Sequence, residues 1–146
     1  MAEFYFKWLV NQHGVADRFV ITSAATSTEE IGNPVYPPAR EILAAHGIGC
    51  DGKTAVQMTR QMFDDNDYVI VMDGEILYNA ERIIREHGNP KMCKLLDFVA
   101  DEPTFARRDV ADPWYTGDFH KTWNDLVIGC AALLDQIAKD HNLQLS

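Results

Sequence analysis

The sequence contains no Gly-x-Ser-x-Gly and no His-Glu-x-x-His. The common serine-hydrolase and zinc-protease sites are therefore excluded at the level of motif. Cysteine is scarce: Cys50, Cys93 and Cys130 are widely separated, odd in number and form no Cys-x-x-Cys. That excludes a disulfide framework and a zinc site, and points to a reducing, cytoplasmic compartment. Basic charge is short as well, with 13 Lys and Arg against 22 Asp and Glu, a net charge of −9. No basic patch offsets this total, so a nucleic-acid partner is not expected. No apolar run approaches the roughly 18 residues of a membrane span, and no signal peptide opens the chain, so a membrane partner is not expected either.

What is present suits one domain spanning residues 1–146, with 47% hydrophobic and 24% charged residues and enough length to bury a core. Helical periodicity predicts helices over residues 1–12, about 37–46, near 57–64, about 74–86 and about 119–141. In the last of these Trp123, Leu126, Val127, Cys130, Leu133, Leu134 and Ile137 form an apolar stripe, which predicts a core-facing helix. Strands are predicted at 18–22, 68–72 and 92–96. The continuous apolar run Tyr68-Val-Ile-Val-Met72 reads as a strand covered on both faces. The order is that of an α/β protein with a mainly parallel sheet and helices on both sides of it. His13-Gly14, His46-Gly47 and His87-Gly88 each close a periodic segment. They are predicted to be helix C-caps rather than metal ligands, and no metal site is expected.

The opening MAEFYFKWLV is predicted to be helical from its first residue, yet no Ser, Thr, Asp or Asn caps it. An α/β layered protein ordinarily leads with a strand, and its ligand site lies where that strand turns into the first helix. The segment ADPWYTGDF, residues 111–119, combines Asp-Pro, two adjacent aromatics, a glycine and a second aspartate ahead of the long helix. Two readings of it stand. Asp112, flanked by a rigid proline and bulky rings, is a candidate general acid. Alternatively the segment is a turn that starts the helix, with Asp118 as N-cap.

Read together, MAEF, SAATSTEEIGNPVYPPA, KTAVQ, DYVIVMD and DPWYTGDF resemble the low-molecular-weight protein-tyrosine phosphatases in order and near spacing, from residue 1 to the final helix. The resemblance implies a three-layer, Rossmann-like α/β/α fold with a short parallel sheet. It implies hydrolysis of phosphotyrosine or other phosphomonoesters through a cysteinyl-phosphate, without a cofactor. The implied substrate is a phosphotyrosine protein or a small phosphomonoester. By position Asp112 matches the family's general acid, Trp114 and Tyr115 its aromatic wall, and Ser23 a serine that braces the phosphate-binding loop. Glu29 falls where animal members often place a wall aromatic, which weakens aryl stacking on that side. Lys53 falls where some members have a histidine of the bracing network, and Ile76 where many have an asparagine.

In the family MAEF follows a central strand and a Cys-x5-Arg-Ser-Pro loop, and neither occurs in this sequence. The sixth residues after Cys50, Cys93 and Cys130 are Val56, Val99 and Gln136, so none of the three cysteines replaces the nucleophile. Arsenate reductases, which relay oxidation through closely spaced mid-chain cysteines, are set aside for lack of that spacing. The expectation is a phosphatase active in its full-length form whose sequence is here shortened to an internal methionine, leaving a chain without the first central strand and without phosphatase turnover of its own. The alternative is that the short form is the real product, a non-catalytic binding module. Such a sheet would close up, take in another chain (a homo-oligomer among the outcomes) or be marginal.

Overall fold

The computed structural model describes residues 1–27, 31–50, 52–99, 109–111 and 117–146. Five helices form close to their predicted places: α1 (Ala2–Gln12), α2 (Pro37–Ala45), α3 (Arg60–Asp65), α4 (Gly74–Ile84) and α5 (Phe119–His141). Local chemistry accounts for most starts. Thr59 Oγ1 accepts from Met62 N at α3, Asp73 Oδ1 from Ile76 N at α4, and Asp118 Oδ1 from Lys121 N at α5, each satisfying an N–H that the helix leaves unpaired. Asp118 is thus the N-cap its spacing suggests. α1 has no side-chain cap at Met1, and burial pushes the Met1 ammonium below its ordinary value.

β1 (Val69–Val71) and β2 (Met92–Lys94) pair in parallel, with Val69 opposite Met92 and Val71 opposite Lys94. The alternation along β1 divides the molecule into layers. Tyr68, Ile70 and Met72 pack into a core with Tyr5, Leu9, Leu43, Leu96, Leu126 and Leu134 from α1, α2, the residues after β2, and α5. Val69 and Val71 face a smaller core of Phe63, Ala80, Ile84 and Met92, contributed by α3, α4 and β2. A strand covered on both faces needs apolar residues at successive positions, which is why Tyr68-Val-Ile-Val-Met72 does not alternate in polarity. Among the described residues no helix is long and apolar enough to cross a membrane.

The sheet departs from the expected three strands, having two among the described residues. Residues 18–22 do not form a strand: Ala16–Arg18 is a 3-10 turn, and Phe19 follows in extended backbone. Phe19 and Ile21 turn toward the large core while Val20 is 88% exposed. A β-branched run becomes a strand only where a second backbone pairs with it. The described pairing comes later, where Ala25 N donates to Val56 O and Met58 N donates to Ala25 O. β2 also ends two residues early, because Asp97 Oδ2 accepts from Lys94 N at 3.0 Å and draws Leu95–Phe98 into a 3-10 helix.

Two of the three His-Gly pairs are helix ends. His13 and His46 are C-caps, each followed by a glycine at positive φ. A Cβ at Gly14 would lie 2.7 Å from Ser146 Oγ, so the chain needs glycine there for space as well as for φ. The third pair is not a cap. α4 ends earlier at Arg85, itself left-handed at φ 58, and Gly88 N instead donates to Glu81 Oε2.

Candidate functional site

The first turn of α1 carries a buried carboxylate. Glu3 is 7% exposed, and three donors converge on it: Lys7 Nζ on Oε2 at 2.7 Å, Ser23 Oγ on Oε1 at 2.5 Å and Lys53 Nζ on Oε1 at 2.9 Å. Lys53 also donates to the Ser23 carbonyl at 3.2 Å. Burial alone would raise the Glu3 pKa, but the hydrogen bonds from Lys7, Ser23 and Lys53 outweigh it and hold the group at about 2. Two lysines and a hydroxyl make its desolvation tolerable. Ser23 and Lys53, singled out separately in the sequence, are therefore brought together by a residue that was not singled out. The signal for Glu3 was present in the i,i+4 spacing to Lys7.

The second cluster surrounds residues 109–111. Val110 is buried, and its N–H donates to Met72 O at 2.8 Å, just beyond the C-terminal end of β1. Asp109 Oδ1 accepts from Gly74 N at 3.1 Å, at the N-terminus of α4, and from Lys94 Nζ at 2.8 Å. A carboxylate there answers the positive end of the helix dipole. On the other side Ala111 N donates to Asp125 Oδ2 at 3.0 Å, and Thr122 Oγ1 donates to Ala111 O at 2.5 Å. Lys121 Nζ lies 2.5 Å from the other Asp125 oxygen. Thr122 and Asp125 are 5% and 2% exposed. Neither residue stands out in the sequence; the clue is two polar residues three apart, each directly before a stripe residue, Trp123 or Leu126.

Of the predicted site residues, Ser23 is placed as above. Glu29, Asp112, Trp114 and Tyr115 lie outside the described residues. Ile76 sits in the first turn of α4, its N–H on Asp73 and its side chain against the smaller core. The cysteines are free. Cys130 is 2% exposed on the α5 stripe, and burial pushes its thiol up to about 12. That suits a packing residue and is the reverse of an activated nucleophile. Cys93 lies in β2 and is raised by burial too, and Cys50 is buried.

A layered α/β protein with a loop root docked at the C-terminal end of a parallel strand has its ligand site at that edge of the sheet. The family model described as low molecular weight phosphotyrosine protein phosphatase matches residues 1–143. The low molecular weight protein-tyrosine-phosphatase YfkJ of Bacillus subtilis (strain 168) is 35% identical over 143 residues, covering 98% of this chain and 90% of that protein. Its crystal structure superposes with a TM-score of 0.89 at 34% identity, over 95% of this chain and 86% of that one. The crystal structure of SP-PTP, a low molecular weight protein tyrosine phosphatase from Streptococcus pyogenes, gives 0.79 at 31% identity, covering 92% and 81%. The chain belongs to the low molecular weight phosphotyrosine protein phosphatase family.

Proposed function

We propose that this chain is the scaffold of a phosphomonoester hydrolase acting on a phosphotyrosine protein or a small phosphomonoester. The observation that carries the reading is the docking of Val110 on Met72 O in a member of this family. It anchors the root of DPWYTGD at the C-terminal edge of the sheet, where α/β sites assemble. In this reading Asp112 protonates the leaving oxygen and later takes a proton from the attacking water. Trp114 and Tyr115 hold the aryl ring on one side, with Glu29 on the other. Ser23, fixed by Glu3 and Lys53, braces the loop that presents the nucleophile.

That loop is a Cys-x5-Arg, whose thiolate attacks phosphorus while its amides and arginine hold the phosphoryl oxygens. These 146 residues contain no Cys-x5-Arg. The polypeptide of this sequence therefore supplies the acid and the brace but no nucleophile, and it turns over no phosphomonoester on its own. The same observation supports a second reading, a non-catalytic α/β binding module. A p-nitrophenyl phosphate assay on the 146-residue polypeptide tests the assignment. No release above buffer is expected; turnover abolished by Asp112→Asn would refute the claim of inactivity.

A further inference from the structure

We infer that Asp109 and Asp125 are positioning residues that set where Asp112 emerges, an inference that rests on the role proposed for Asp112. Five hydrogen bonds act on three consecutive residues. Asp109 takes Gly74 N and Lys94 Nζ, Val110 gives its N–H to Met72 O, and Ala111 is held at both N–H and C=O by Asp125 and Thr122. The partners belong to three elements: the β1–α4 junction, β2 and α5. Asp112 is the next residue along the chain, so any movement of Ala111 is passed to it across one peptide.

The two carboxylates do different work. Asp109 joins the loop root to the sheet edge: its Oδ1 bridges the N-terminus of α4 and a lysine of β2. Asp125 joins it to α5, dividing its oxygens between Lys121 Nζ and the Ala111 N–H. A carboxylate satisfies both donors at once. An amide at 125 accepts one and turns a donor toward the other, so Asp125→Asn unbalances the joint while preserving its volume. Thr122→Val removes the hydroxyl that holds Ala111 O and likewise keeps the shape. In a buried network each such loss leaves a backbone group unpaired.

Trp114 supplies a reporter two residues beyond Asp112. The chain has three tryptophans, Trp8, Trp114 and Trp123. Fluorotryptophan incorporated into the 146-residue polypeptide gives three fluorine NMR signals, assigned with single Trp→Phe variants. In Asp109→Ala, Asp125→Asn and Thr122→Val the Trp114 signal is expected to move or broaden while that of Trp8 stays in place. Amide exchange at Ala111 in Asp125→Asn should quicken by about tenfold or more, the loss of one charge-assisted hydrogen bond. A Trp114 signal unchanged in variants that circular dichroism shows to be folded would overturn the inference, as would equal movement of Trp8 and Trp114. If Asp125→Asn does not fold, Asp109→Ala, on the more exposed carboxylate, and Thr122→Val decide between the same outcomes. None of these readouts uses turnover, so failure here is distinct from failure of the phosphatase reading.

Discussion

Ser23 donates its hydroxyl to Glu3 at 2.5 Å across twenty residues of sequence, and Lys53 closes the same carboxylate from the other side at 2.9 Å. The relationship ties the segment after the extended run at 19–22 to the first turn of α1. It also makes the first acidic residue of the chain a structural centre. Replacing Glu3 by Gln keeps the volume and removes the charge that three donors share. The expected loss is about 1.5–3 kcal/mol at neutral pH, measured as a lower urea midpoint.

The same group sets an acid dependence. Glu3 is held at about 2 against an ordinary 4.5. Between those values the unfolded chain binds a proton that the folded chain does not. Its stabilisation is therefore complete above the ordinary pKa and is lost as pH falls toward the folded one. The difference in urea midpoint between the native sequence and Glu3→Gln should be largest near neutrality and narrow as pH falls through about 4.5 toward 2. A difference that stays constant over that range would contradict the charge network.

Gly129 on α5 has no room for a side chain: a Cβ would meet Leu95 Cγ at 2.6 Å and Leu96 Cδ2 at 3.2 Å. Helix propensity favours alanine by about 1 kcal/mol, but overpacking at a buried crossing costs about 1–3 kcal/mol. Leu95 is 1% exposed and has nowhere to retreat. Gly129→Ala is expected to be destabilising by up to about 2 kcal/mol, lowering Tm at about 2–4 °C per kcal/mol. Calorimetry checks the sign, which propensity alone would reverse.

Thiol labelling tests the placement of the cysteines. Cys93 is partly exposed, whereas Cys50 and Cys130 are buried and the Cys130 thiol is pushed up to about 12. With an aromatic disulfide reagent at neutral pH, Cys93 should react first, and Cys93→Ser should remove that phase. Cys50 and Cys130 should react only on unfolding. Fast labelling of Cys130 in the folded chain would contradict its position in the core.

Helix positions were legible because each helix carries its own periodicity and, at α3, α4 and α5, its own cap. β1 was legible from five successive apolar residues. What the sequence did not reveal depends on distant partners. Residues 18–22 have strand composition, but composition cannot supply the second backbone that a ladder needs. Arg85 took the left-handed position that His87-Gly88 was expected to supply, and Asp97 ended β2 by reaching back to Lys94 N. In the site, the resemblance pointed to Ser23 and Lys53, but not to Glu3 between them. Thr122 and Asp125 were overlooked because a polar residue beside an apolar stripe reads as solvated until a buried backbone group is found opposite it.

The role proposed for Asp112 is that of the acid of a phosphomonoester hydrolase. Its most direct test joins a hydrophobic strand and a Cys-x5-Arg-Ser-Pro segment in front of Met1 and assays p-nitrophenyl phosphate and a phosphotyrosine peptide. Turnover is expected in the joined chain, with a fall in kcat of about 10²–10⁴-fold on Asp112→Asn, largest for substrates with the poorest leaving groups. A folded joined chain with no turnover, or with turnover indifferent to Asp112→Asn, would contradict it.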